Sequence, residues 1–472
     1  MKYFLVIVAI VWGLFQLAGL FSGARNQSNG ESLEQFAKAP PHRLADPYRN
    51  AYFFLIGFAA APSLDPSKTG YEMWIEAGES THTGSFDYEK PGRSDLRVHV
   101  SPSQILPEWE ADDPLEAFRR KQSSVRTLTA RYQTLLTRYD RCLGMPFEDW
   151  GYGLHATMRF AEPLIVHRLY VAEGFSRLTT LGLERLYREM IFWRTVLRES
   201  ATPATKVMAQ LVIQDDTRIL SRLLSKPPVD KAILSMGLQL TLPLTHSEYS
   251  LRWPIQHQVF LALHQDRHRI TRDSVSVHDE EDQWLLKMAN LPAHTFGRIE
   301  HPQFRSLLGL PINAEQTGDL YAAYYETLIR AAGPGQGIVP RLQQVAGTMR
   351  RGMLESLMHP VLQEPEWDPL VHQLMETDAR LRLTSLQIQL RRQSGVPSIP
   401  TRLAELGSQY FDPYTGLPML WSPTQQRLYS VGKDRLDDGG DPSFDITVPA
   451  VVSVVPKSPL AAPPASRKIS RL

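Results

Sequence analysis

From residue 115 to residue 392 the apolar positions recur three and four residues apart, the spacing of one buried face on an α-helix. In LGLERLYREMIFWRTVLRES, Leu183, Leu186, Tyr187, Met190, Trp193 and Leu197 share such a face. The next stretch, ATKVMAQLVIQDDTRILSRLL, keeps the spacing and stops before Pro227-Pro228. Further helices are predicted over 254–269, 282–289, 318–332, 340–358 and 369–392, separated by Pro and Gly clusters. These lengths suit helical hairpins stacked in a bundle or an irregular α-solenoid. A repeat of about 34 residues, the mark of a tetratricopeptide array, is not found.

The two ends break this pattern. Residues 3–21, YFLVIVAIVWGLFQLAGLF, hold Gln16 as their one strongly polar side chain. At about 1.5 Å per residue the run spans roughly 28 Å, one hydrocarbon core. It reads as a membrane anchor, with a signal peptide cut after Ser22-Gly23-Ala24 as the alternative. Its length favours the anchor. Residues 26–50 read as a linker, and AYFFLIGFAAA (51–61), too short to span, as the first core helix. Residues 62–114 are rich in Gly, Ser, Pro and Asp, with one weak strand candidate, LRVHV at 96–100. After residue 410 short β-type pieces (LPMLW, RLYSV, FDITV) alternate with turn residues. The last stretch, 449–472, has five prolines, four basic residues and no acid, and reads as a disordered tail.

The chain therefore divides into an anchor or signal peptide (1–25), a linker (26–50), an irregular N-terminal segment (51–114), a helical domain (115–377), a small C-terminal module (378–448) and a tail (449–472). The fold class is mainly α: an N-terminal membrane helix, a helical-hairpin bundle or irregular α-solenoid, and a small C-terminal α/β module. Lys2 and the amino terminus favour a cytoplasmic start, although Arg25, Lys38 and Arg43 follow the span. The expected location is the inner membrane, single-pass, with a periplasmic body.

Charge adds one exclusion. Lys and Arg total 51 against 50 Asp and Glu, a net charge of +1, which argues against nucleic acid as a partner. The single cysteine, Cys142, forms no internal disulfide and no Cys-based zinc site, and RYDRCLGMPF offers it no activating base.

The densest polar chemistry lies in LYSVGKDRLDDGGDPSFDI, residues 428–446. Five acids and two bases between residues 432 and 445 give a local charge of −3. Crowded carboxylates repel unless a cation sits among them. An EF-hand is excluded, because a loop starting at Asp434 places Leu436 at its third position. A calcium loop of another type and a solvated Asp/Gly turn both remain, and Lys433 or Arg435 would neutralise the loop without metal.

From Ala379 to Ile446 the order of elements resembles the C-terminal part of the major pseudopilin of type II secretion systems. The matching residues are Asp412-Pro413-Tyr414, Gly416, Pro418, Tyr429-Ser430-Val431-Gly432, Asp434, Gly439-Gly440 and Asp445-Ile446. The resemblance implies a pseudopilin-like module and a calcium loop built from backbone carbonyls and a few carboxylates. Asp434, Asp441 and Asp445 would be ligands, with Asp437 or Asp438 in support. The chain departs from the family in its N-terminus, which lacks a prepilin-peptidase site and the glutamate of the mature helix, so a pilus subunit is not implied. Residues 52–224 are also similar to uncharacterised membrane-anchored proteins of Gram-negative bacteria.

Elsewhere, WPIQHQVFLALHQDRHRI places His257, His264 and His268 within about 40° of one another on a helix. The His264/His268 pair has the i, i+4 spacing of helical zinc sites, but no H-E-x-x-H motif is present. HDEEDQW (278–284) suits a helix N-terminus, and AAGPGQG (331–337) lacks the P-loop lysine and hydroxyl. No catalytic set is legible. The leading expectation is a membrane-anchored envelope scaffold that binds an envelope protein, with calcium as the one candidate cofactor, in its C-terminal module. The alternatives are a metal-dependent hydrolase built on the histidine stripe and a cytoplasm-facing anchored adaptor.

Overall fold

The computed structural model describes residues 31–79, 86–98, 105–111, 113–153, 158–226, 229–264, 325–326, 329–330, 367–392 and 398–449. The expected anchor, the helices at 282–289 and 340–358, most of 318–332 and the tail lie outside the described residues. Among the described residues no helix is long and apolar enough to cross a membrane.

The described chain is mainly helical. Helix α1 (Glu31–Phe36) lies in the stretch expected as a linker. That stretch packs instead of hanging free. Phe36 and Ala37 are buried, and Gln256 Nε2 donates to Phe36 O at 2.7 Å. The Arg43 and Leu44 amides donate to the Glu148 carboxylate at 2.9 and 2.7 Å.

Helix α2 (Ala51–Ile56) is buried along its whole length. Asn50 caps it, accepting from Tyr52 N at 3.0 Å and Glu148 N at 3.1 Å. It ends earlier than the apolar run 51–61 predicts, because Gly57 sits against α3 (Pro66–Glu79). The two helices meet glycine to glycine. A Cβ on Gly57 would lie 2.1 Å from Pro66 O, and one on Gly70 would lie 1.9 Å from Phe53 O.

Three short helices follow: α4 (Pro114–Arg120), α5 (Gln122–Arg131) and α6 (Gln133–Cys142). From α6, Arg138 donates to the carbonyls of Phe58 (2.8 Å), Ala60 (2.6 Å), Ala61 (2.7 Å) and Leu64 (3.1 Å). One planar guanidinium thus holds the irregular turn after α2 in place. Cys142 is buried, and burial pushes its thiol pKa up, as an inert core cysteine requires. The expected strand at 96–100 is absent among its described residues. Leu96 N donates to Ala59 O at 2.9 Å and Val98 N to the Glu162 carboxylate at 3.1 Å, so a turn and a side chain take the place of a strand partner.

The core is built from α7 (Ala161–Arg177), α8 (Thr179–Glu199) and α9 (Pro203–Leu224). Leu178 alone joins α7 to α8. So tight a hairpin needs small residues at the crossing: a Cβ on Gly174 would lie 2.9 Å from Gly182 Cα. On α8, Leu186, Met190, Trp193 and Leu197 are fully buried, the face that the spacing predicts. Helix α9 starts at a Thr202 cap with Pro203 as its first residue. Helices α10 (Lys231–Leu240), α11 (His246–Tyr249) and α12 (Arg252–His264) follow. Tyr325 is buried and stacks on Phe36 at 5.8 Å, which gives that tyrosine a packing role.

Helix α13 (Trp367–Arg392) runs against α9. Ser221 Oγ and Gln387 Oε1 meet at 3.0 Å, and Gln387 Nε2 donates back to Ser221 O at 3.1 Å. The helix is continuous through residue 378, where the C-terminal module was expected to start. After α14 (Ile399–Glu405) comes a three-stranded antiparallel sheet in the order β1 (Leu420–Ser422), β2 (Arg427–Ser430), β3 (Ile446–Val448). Leu428 on the central strand pairs with Trp421 on one side and Val448 on the other. Strands β2 and β3 pack on α13.

The glycine contact between α2 and α3 generates a test. Gly70→Ala drives a methyl group into a backbone carbonyl that cannot rotate away. Overpacking costs about 1–3 kcal/mol or more. The expected outcome is a fall in the urea midpoint at unchanged slope, whereas an exposed control such as Ser123→Ala leaves it in place.

Candidate functional site

The expected acidic site is a loop between β2 and β3, mounted on α13 through two aspartates. Asp412 accepts from Tyr414 N at 2.8 Å and from Val431 N at 3.1 Å, joining the turn before β1 to the end of β2. Asp378, in the middle of α13, accepts from Leu244 N and from the Tyr249 hydroxyl, each at 2.8 Å. It also pairs with Arg382 at 2.7 Å, and Arg382 donates to Phe411 O at 2.7 Å. The module is therefore tied to the helical core through a buried, fully partnered carboxylate.

Within the loop the five aspartates are spread along the chain and mostly hold backbone. Asp434 accepts from Leu436 N at 3.2 Å and Asp441 from Ser443 N at 2.9 Å. Asp437 accepts from Gly439 N at 3.0 Å and from the Tyr429 hydroxyl at 2.9 Å. Asp434, Asp437 and Asp438 are exposed. Asp445 differs. It is buried, its Oδ2 accepts from Gly440 N at 2.8 Å, and the Asp438 amide also donates to its carboxylate. Burial raises its pKa, and the charges of Asp438 and Asp437 raise it further. Gly432, Arg435, Gly439 and Gly440 all have positive φ, which folds the loop back over the sheet. Burial lowers the pKa of His372, and the nearby Lys433 and Arg435 lower it further.

The histidine stripe is only partly described. His257 is buried on α12, where its Nδ1 accepts from Gly153 N at 3.2 Å and its ring meets Tyr152 edge-on. The side chain of His264 and the whole of His268 lie outside the described residues.

A second cluster, which the sequence reading did not find, sits in the helical core. Helix α7 supplies His167, α8 supplies Glu189 and α9 supplies Asp215 and Asp216. Of these, His167, Glu189 and Asp216 are fully buried. His167 Nδ1 lies 3.1 Å from Glu189 Oε1 and 4.0 Å from Asp216 Oδ1, and its Nε2 lies 3.7 Å from Asp215 Oδ2. Arg168 Nε donates to Asp215 Oδ2 at 2.9 Å. Trp109 covers the imidazole edge-on at 5.5 Å, and Trp193 Nε1 donates to the Tyr139 hydroxyl, which stands against Glu189, at 2.8 Å.

The electrostatics of this cluster are lopsided. Burial opposes a charge on His167, but Glu189, Asp215 and Asp216 outweigh it and hold the imidazole up to about 10. Burial also opposes charge on Asp215, yet Arg168 and His167 hold it well below the usual carboxylate range. Asp216 also has His167 at 4.0 Å, which lowers its pKa, but other effects outweigh that pull. Burial and the Glu189 carboxylate push it well up. Neither Asp216 oxygen accepts a hydrogen bond, nor does Glu189 Oε2. Among the described residues, His167, Glu189 and Asp216 form the one group of three such side chains whose ligand atoms all lie within 4.8 Å of one another.

No protein-family model, curated protein or solved structure matches the chain.

The mounting of the module on α13 makes Asp378 a test of its attachment. Asp378→Ala leaves Arg382 without its carboxylate and two buried donors unpaired. Breaking such a buried pair costs about 3–5 kcal/mol. The expected result is a lower unfolding midpoint together with faster proteolysis after residue 392. A loss of stability with no change in cleavage there would show that the carboxylate serves the helices alone.

Proposed function

We propose that this chain is a membrane-anchored, non-enzymatic scaffold of the cell envelope whose C-terminal module is a calcium-stiffened docking element for an envelope protein. The observation that carries the reading is Asp445: a buried carboxylate at the closure of the loop, held by the Gly440 and Asp438 amides, whose charge the neighbouring Asp438 and Asp437 oppose. A hard cation that takes oxygen ligands would meet that need, with backbone carbonyls filling the six to eight positions calcium prefers. Asp437 and Asp438 add charge at the same place, and Asp434 and Asp441 turn the loop around it.

The pseudopilin-like character of the module belongs to the same proposal. It rests on the order of motifs from Ala379 to Ile446, and a helix followed by an antiparallel sheet agrees with that order. The anchor rests on the apolar run 3–21. The inner membrane with a periplasmic body is the matching location, because a weak extracellular-type calcium loop is filled only where calcium is near-millimolar.

Two measurements check this. Thermal unfolding of the full chain in detergent, with millimolar calcium and with chelator, is expected to show a calcium-dependent rise in midpoint. A ligand that binds only the folded state stabilises it. Asp445→Asn is expected to abolish the rise, and magnesium to leave it small. No shift in the wild-type chain overturns the calcium loop. Separately, alkaline phosphatase fused after residue 448 is expected to be active. An inactive, stable fusion would favour the cytoplasm-facing adaptor instead.

A further inference from the structure

We propose that His167, Glu189 and Asp216 form a structural binding site for one divalent transition-metal ion, of the zinc class, that pins helices α7, α8 and α9 together. The site is independent of the acidic loop and goes beyond the scaffold reading.

Three observations carry it. First, each ligand comes from a different one of three consecutive helices, and their donor atoms all lie within 4.8 Å of one another. For metal–ligand bonds of about 2.0–2.1 Å, the edge of a tetrahedron is about 3.3 Å. The separations from His167 Nδ1 to Glu189 Oε1 and to Asp216 Oδ1, 3.1 and 4.0 Å, lie on either side of that edge. Second, the site is unsatisfied unless a cation, or a proton shared between Asp216 and Glu189, fills it. Asp216 is fully buried with both oxygens lacking a hydrogen-bond partner, and Glu189 Oε2 lacks one too. A buried polar atom left in this state costs about 1–3 kcal/mol, and more when charged. The spare oxygens also offer a fourth donor for a closed site. Third, the outer partners are in place. With Nδ1 on the metal, Nε2–H faces Asp215, which Arg168 holds at 2.9 Å. A carboxylate behind a ligating histidine fixes its ring and tautomer.

The charges close as well. A neutral imidazole and two carboxylates carry −2, which a dication balances, while Asp215 and Arg168 balance each other. Nitrogen with oxygen donors suits zinc better than the all-oxygen shells of magnesium and calcium. With all three ligands fully buried, the ion would be structural and loaded as the chain folds.

The competing state is a proton shared between Glu189 and Asp216 beneath an imidazolium. The two states make opposite statements about Asp216→Asn, because asparagine mimics a protonated acid but is a poor metal ligand. The full chain and its Asp216→Asn and Glu189→Gln variants are produced in zinc-supplemented medium and purified. Metal content is then read by mass spectrometry, and the unfolding midpoint is read beside it. The expected result is about one zinc per wild-type chain, lost from both variants, with a lower midpoint in each. Asp445→Asn serves as a control and keeps the zinc. A metal-free wild-type chain with an Asp216→Asn variant at least as stable overturns the proposal. So does zinc that both variants retain. Should neither variant fold, X-ray absorption on the zinc-loaded wild-type chain decides. One imidazole nitrogen among oxygen donors supports the site, and any other donor set overturns it.

Discussion

The fold depends on a helix that is buried on every side and still carries charge. Every residue of α7 from Glu162 to Ser176 is buried, and among them are Glu162, His167, Arg168 and Glu173. Removing an ion from water costs several kcal/mol even after the protein relaxes. Apolar contact cannot return that energy, so each charge dictates what lies beside it. Glu162 receives the Val98 amide, Glu173 is met by Arg177 and Arg185, and Arg168 faces Asp215. His167 faces three carboxylates. The positions of α8, of α9 and of the segment before α4 are thus set by the partners α7 requires.

The same logic reaches the C-terminal module through α9 and α13. Gln387 exchanges hydrogen bonds with Ser221, which fixes the register of the two helices. One face of α13 then presents Asp378 to Leu244 and Tyr249, while Arg382, one turn on, presents its guanidinium to Phe411. Arg194 on α8 closes the other side of that turn, gripping Glu248 with two bonds at 2.6 and 2.8 Å. Paired, directional contacts of this kind specify a single arrangement where apolar packing alone tolerates sliding. A module packed on such a helix inherits its rigidity.

Much of the helical fold was legible in the sequence, because a single apolar face leaves a period. The predicted face of α8 is buried except for the half-buried Tyr187, and the three strands overlap the expected β-type pieces, β1 running one residue beyond LPMLW. Contacts made across large sequence separations left no such trace. The 26–50 stretch looked like a tether because its anchors, Glu148 and Gln256, lie far away in the chain. The acidic loop drew attention because its aspartates are contiguous. The core cluster did not, because His167, Glu189 and Asp216 sit one per helix and each resembles an ordinary polar-face residue. One signal was available. In AEPLIVHRLYVAEGFSR the apolar residues occupy all sides of the helix, so His167 and Arg168 have no solvent-facing stripe to occupy. A charge in a helix without a polar face must find its partner inside the protein.

The two acidic clusters show how solvent decides what a carboxylate demands. In the loop, four of the five aspartates reach water, and Asp445, the buried one, is held by the Gly440 and Asp438 amides. Water screens the rest, so the loop holds together without a cation and a bound ion adds stiffness by degrees. In the core no water screens Glu189 against Asp216. One of the two must bind a proton, or a cation must bind both, before the helices can close. Neutralisation there is a condition of folding, whereas the exposed carboxylates of the loop are screened by water. Burial thus sets the charge of the core as the chain folds, while the exposed loop answers to the solution around it.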